Sequence, residues 1–174
     1  MKSMHAFLLL AASMAATPPA FNLPESAARA LRQQLEQMTD AALREDDDTV
    51  VRAMYPRVVQ AMGGTAQARR QVEAARLGVK SDGATVLSSK VGAIRGCAKA
   101  RKQIQCVVEG TLVMRVAGGR LHVETDTVAF SGDGGANWTF FAGGQDPAAL
   151  RAALPELSLS LPLRPRSPPK FERE

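Results

Sequence analysis

The spacing of apolar residues changes period once along this chain, near Val79, and no other feature of the sequence limits its fold as strongly. Before that point Ala27, Leu31, Leu35, Met38 and Ala42 recur at intervals of four and three, while Arg29, Arg32, Gln33, Glu36 and Asp40 occupy the other faces. That pattern puts one apolar stripe on a helix. After it, residues alternate, β-branched side chains multiply and glycines punctuate the chain, the signature of antiparallel strands joined by tight turns. Helices followed by strands predict an α+β fold, with three N-terminal helices packed on an antiparallel sheet of about four to five strands.

Local signals place the elements. Pro24 suits the first turn of the first helix, where a missing N–H loses nothing. The helix ends at the acidic run Glu45, Asp46, Asp47, Asp48, which lacks the spaced oxygens, central glycine and terminal glutamate of a calcium loop. The run reads instead as a connection and an N-cap, because carboxylates favour a helix start. The second helix is expected to reach Met62, kinked or split at Tyr55 by Pro56 and ended by Gly63 and Gly64. Thr65 caps a third helix through Leu77, and Gly78 is expected to stop it. Strands are predicted over 79–97, 103–117, 120–131 and 136–142, with a break at 88–90 and turns at 99–102, 118–119 and 133–135. The glycine pair 118–119 is a strong hairpin signal. Asp146 and Pro147 open a short helix over 147–154, stopped by Pro155. Residues 156–174 hold too many prolines for helix or central strand and read as an extended tail. In it Leu157, Leu159, Leu161 and Leu163 alternate to cover a sheet edge, and the last ten residues are expected to be disordered.

The amino terminus carries Lys2, an apolar run over 6–12, and small residues at Ser13, Ala15 and Ala16. This is the order of a signal peptide, assigned to 1–16, and the run is far short of the roughly 20 apolar residues of a bilayer span. The reading is one domain over 17–155 with a tail over 156–174, periplasmic or secreted, with no membrane span after leader cleavage. The formal charge of +5 includes Lys2. Cations lie singly or in pairs, as at Arg69-Arg70 and Arg101-Lys102, without interleaved aromatics, so nucleic acid is not an expected partner. The two cysteines, Cys97 and Cys106, are expected to pair in an oxidising compartment. A hairpin centred between Arg101 and Lys102 sets them directly opposite, at about the separation a disulfide needs. Two independent buried thiols are the alternative.

The phrase Tyr55-Pro56-Arg57-Val58-Val59-Gln60-Ala61-Met62-Gly63-Gly64, with helices preceding a bent antiparallel sheet, resembles the superfamily typified by nuclear transport factor two, ketosteroid isomerase and the polyketide-cyclase-like proteins. More narrowly it resembles small secreted bacterial members of that superfamily. The resemblance spans roughly 24–155 and implies a cone-shaped half-barrel that often holds a small ligand. The Tyr and Asp pattern of the isomerases does not align here, so no catalytic residue is carried over. A second phrase, Ser131-Gly132-Asp133-Gly134-Gly135-Ala136-Asn137-Trp138, resembles the Asp-box of sialidase-type propellers. It occurs once, without the repeats a propeller requires, and therefore indicates a structural hairpin. In that hairpin Asp133 accepts backbone N–H groups beside Ser131, Gly135 takes a positive φ and Trp138 packs on the turn.

His122, Glu124 and Asp126 alternate along one strand and so share a face. Leu121, Val123, Thr125 and Thr127 make the more apolar face, which normally turns inward, leaving the three ionisable groups solvated. His122 is the one histidine after the leader, which removes a multi-histidine metal site. No nucleophile elbow, phosphate loop or dinucleotide fingerprint occurs. No catalytic, cofactor-binding or metal residue is therefore assigned. Tyr55 is a candidate polar group in a cavity, or a core aromatic with one hydrogen bond. The expected function is an exported, non-catalytic small-molecule- or protein-binding module, its partner a small apolar ligand or a second copy of itself. The alternatives are an isomerase- or cyclase-type enzyme with a cavity carboxylate as general base, and a structural, dimer-forming envelope protein.

Overall fold

The computed structural model describes residues 21–143 and 146–173; the expected signal peptide lies outside them. Four helices, α1 (Glu25–Leu43), α2 (Asp47–Ala53), α3 (Pro56–Ala61) and α4 (Thr65–Ser81), precede β1 (Thr85–Ala100), β2 (Gln103–Val116), β3 (Gly119–Ser131) and β4 (Thr139–Gly143). Then come α5 (Pro147–Ala153) and β5 (Lys170–Arg173). The strands form one antiparallel sheet in the order β1-β2-β3-β4, with β5 beside β4 along the same side of β3. The fold is α+β, and the sheet is open, not closed into a barrel.

There are four N-terminal helices because Pro56 divides the second one. Met54 leaves helical geometry to bridge Phe140, and the Tyr55 N–H donates to the Phe140 carbonyl at 2.8 Å, anchoring the break to β4. Asp46 caps α2 by accepting from the Thr49 N–H at 3.0 Å. Pro24 is the N-cap of α1 and not its first helical residue.

Gly78 does not stop the fourth helix, which continues to Ser81. A glycine inside a helix costs only about 1 kcal/mol, and the better exit is Gly83, whose φ of 74° suits the left-handed position. There the Gly83 N–H reaches the Lys80 carbonyl and the Ala84 N–H the Val79 carbonyl. β1 accordingly starts at Thr85 and not Val79, and its expected break is a register shift between Val86 and Ser88. The second hairpin turns on Ala117 and Gly118, since Val116 already pairs with Gly119. Gly119 is spoken for by close approach of the β5 backbone, where a Cβ would collide with the Glu172 carbonyl.

Both faces of the sheet are covered. On one, Ala27, Leu31 and Leu35 of α1 meet Ile104, Cys106, Val108, Ala129, Trp138 and Phe140. Ala41, and not Ala42, completes the buried stripe. On the other face Val107, Val128 and Phe130 meet Tyr55, Leu150, Leu154, Leu157 and Leu161. The tail thus covers a sheet face rather than an edge, with Leu159 left 87% exposed. Its last residues are ordered as β5, because the side of β3 beyond β4 offers unpaired backbone groups over 119–122. Cys97 stands directly opposite Cys106 and the two are bonded, with a Cα–Cα distance of 4.1 Å.

Candidate functional site

His122, Glu124 and Asp126 share the face that strand alternation dictates, but they do not converge on one point. Each takes its own partner from the covering segment or sheet. His122 Nε2 lies 2.8 Å from Glu172, and Glu124 accepts from Ser167 and Lys170, both at 3.3 Å. Asp126 accepts from Arg95 at 2.6 and 2.8 Å and from Arg164 at 3.3 Å, while Glu109 holds the same Arg95 guanidinium at 3.0 Å. Asp126 is only 14% exposed, so the expectation that it is solvated fails: the tail lies over it. Burial pushes its carboxyl up, yet the Arg95 hydrogen bonds and charge prevail and hold it below the usual range. The hydrogen bond from Lys170 likewise lowers Glu124.

The Asp-box-like hairpin is internally closed. Asp133 accepts from the Asn137 and Ala136 N–H groups at 3.0 and 3.1 Å, from the Ser131 hydroxyl at 2.8 Å and from the Asn137 amide at 2.7 Å. These bonds, led by the Asn137 N–H, hold its carboxyl well below the usual range. Gly135 has φ 101°, and its carbonyl accepts from the Trp138 indole at 2.9 Å. Gln34 of α1 ties the unit down, donating to the Ala136 carbonyl and accepting from the Trp138 N–H, both at 2.8 Å. Nothing in the sequence pattern marked Gln34 for this role.

Tyr55 is both of the things its position allowed. Its ring stacks on Phe130, with centroids 3.9 Å apart, and its hydroxyl donates to Glu156 at 3.1 Å. Burial pushes that hydroxyl up. Glu156 also pairs with Arg57 at 2.7 Å. Tyr55 and Gln103 line two adjoining clefts, of about 360 and 290 Å³. The larger one runs along the β1–β2 turn.

A third concavity, which the sequence did not reveal, lies at the far end of β1. Ala42 and Leu43 from α1, Val50 from α2, Val72 and Val79 from α4 and Val86 from β1 wall a half-open groove of about 230 Å³. Leu43 and Val86 remain 39% and 37% exposed at its rim. One wall is ionic: Arg76 spans Glu45 at 2.7 Å and Asp47 at 3.1 Å, and Lys80 also pairs with Glu45. The hydrogen bond to Asp47 raises Arg76, and that from Lys80 lowers Glu45. Both terminal guanidinium nitrogens are satisfied, but Arg76 Nε is buried without a hydrogen-bond partner. Such a donor is costly to leave unmet.

Among the described residues no group of three or more His, Cys, Asp or Glu side chains is placed to hold a metal ion. No helix among them is long and apolar enough to cross a membrane. No protein-family model matches the chain, no curated protein matches it in sequence, and no solved structure matches it.

Proposed function

We propose that this protein is an exported, non-catalytic binding module that takes the apolar part of a small molecule into the groove between α1, α2, α4 and β1. The observation that carries the reading is a groove with apolar walls bordered by Arg76, whose buried Nε has no hydrogen-bond partner and comes within reach of a ligand once the side chain shifts. Ligand sites combine those two features, burial for affinity and a single polar group for orientation. An apolar cavity of about 150 Å³ elsewhere holds benzene, so this groove suits a ligand of roughly ten heavy atoms bearing one hydrogen-bond acceptor. Export is supported by the Cys97 to Cys106 bond, which belongs to oxidising compartments.

A binding role is also favoured over proton transfer. Glu45, Asp46, Glu124, Asp126 and Asp133 are all held below the ordinary carboxylate range, the opposite of a general base poised near neutrality. Kinship with the nuclear-transport-factor-two-like superfamily is part of the same proposal, supported by helices that precede an open antiparallel sheet.

The test is a ¹H–¹⁵N titration with acetophenone and, separately, ethylbenzene. Saturable shifts confined to residues around Val50, Val72, Val79 and Val86 are expected, tighter for the ketone, and weakened by Val72→Phe, which fills the groove. Shifts that never saturate, or that lie elsewhere, overturn the proposal; equal affinity for the two probes removes the role given to Arg76.

A further inference from the structure

Two non-glycine residues among those described hold a positive φ, Glu45 at 63° and Arg101 at 54°. Each borders one of the concavities. At Glu45 the strained backbone has a local reason: the residue closes α1 and its carboxylate pairs with Arg76 and Lys80. At Arg101 no such contact exists. It sits at the first central position of the two-residue β1–β2 turn, a place that hairpins of this geometry give to glycine. Neither Arg101 nor Lys102 forms a side-chain hydrogen bond or ion pair with any described residue. Strain of this kind persists where the surroundings enforce it, and it gathers at ligand clamps.

The surroundings do enforce it. Cys97 is bonded to Cys106, and the pairs Ala98 with Gln105, Lys99 with Ile104 and Ala100 with Gln103 run without interruption from that bond to the turn. The turn is thereby fixed against the cleft of about 360 Å³ that contains Tyr55, Gln103 and Gln105. Of the charges lining that cleft, Arg57 is answered by Glu156, and Arg101 and Lys102 are answered by nothing described. Asp133, in the adjoining cleft, is already saturated by its own hairpin.

We propose that the cleft beside the β1–β2 turn is a binding site for an oxyanion group, a carboxylate or a phosphate, clamped by Arg101 and Lys102. Arginine offers such a group a planar fork of donors and lysine a point charge. Placing both on a disulfide-fixed turn removes the backbone ordering cost that a mobile loop would add. The site is independent of the apolar groove: the two share no lining residue and lie at opposite ends of β1.

The experiment is a pair of ¹H–¹⁵N titrations of the oxidised full chain, with inorganic phosphate and with acetate, each at constant ionic strength set by chloride. Saturable shifts at residues 55 and 100–103 are expected for at least one anion, and the stronger of the two identifies the head group. Arg101→Gly is expected to raise the thermal midpoint, because glycine accepts the positive φ, while weakening anion binding at least tenfold. Lys102→Gln should weaken it several-fold without moving the midpoint, and Arg69→Gln, which removes an exposed cation elsewhere, should do neither. Shifts that scale linearly with both anions, or undiminished binding by Arg101→Gly, overturn the proposal.

Discussion

The two faces of the sheet are closed by different means. Where α1 lies on it, contact is apolar from Ala27 to Leu35 and needs only the helix's own period to bring the right side chains into line. The opposite face begins in the same way, with Leu150, Leu154, Leu157 and Leu161, and then passes into the charged set Arg95, Glu109, Asp126, Arg164, Glu124 and Lys170. The difference follows from backbone hydrogen bonding. A helix satisfies its own N–H and C=O groups, whereas a proline-rich segment cannot, so its carbonyls and amides need partners from the fold. Arg151 supplies them to Ser158, Leu159 and Leu161, and the buried Gln105 both donates to the Glu156 carbonyl and accepts from the Ser158 N–H.

This contrast predicts a descending series of effects. Leu31→Ala, in the helix-covered face, should destabilise the protein by about 3 kcal/mol in denaturant unfolding, the ordinary consequence of an unfilled core cavity. A loss under about 1 kcal/mol would mean that α1 is less tightly seated than its burial indicates. Gln105→Leu on the other face should cost about 2 kcal/mol, because two part-buried backbone groups of the tail, the Glu156 carbonyl and the Ser158 N–H, lose their partner while apolar volume is kept. A neutral result would show that the tail does not depend on that side chain.

Asp126→Asn should cost about 1 kcal/mol, less than a fully buried pair, because Glu109 still holds Arg95 and water reaches Arg164. Its pH dependence has a definite sign. Asp126 has a lowered folded pKa, so its contribution is present above the ordinary value near 4 and fades as pH falls through the folded one. Unfolding curves for the wild type and the Asn variant should therefore converge as pH falls below about 4. Curves that stay parallel would remove the ion cluster as a source of stability. Truncation after Arg164 should have the smallest effect, under about 1 kcal/mol, since β5 is exposed throughout and its ion pairs are solvent-screened. Faster amide exchange should then appear in β3 over 119–122, and global unfolding instead would make β5 integral to the fold.

How much of this was legible in the sequence depended on the range of the interaction involved. Pro56 had to interrupt the second helix, because its ring and missing N–H act on the immediate backbone. The register that sets Cys97 opposite Cys106 followed from counting outward from a two-residue turn. The caps at Asp46 and Asp146 are equally local. Gly78 misled for an instructive reason: a glycine is permitted inside a helix, and Gly83 completed the C-terminal hydrogen bonds better. Ala42 and Ala41 exchanged places because the period of a helix fixes a stripe only to within a residue at its end. The candidate sites were much less visible. Val50, Val72, Val79 and Val86 come from three segments, and nothing in their spacing announces that they meet. Glu45 and Arg101 hold left-handed geometry that sequence reading reserves for glycine and asparagine.

By itself the sequence determined the fold class, the antiparallel hairpins and the cysteine register, since each arises from residues adjacent in the chain or a few positions apart. Only the tertiary structure decided that the proline-rich tail becomes a cover with a terminal strand, that Asp126 lies beneath it, and that apolar side chains from four elements form a groove beside Arg76. Those outcomes depend on which unsatisfied backbone and side-chain groups become neighbours after the chain has folded, and spacing along the chain carries no record of that.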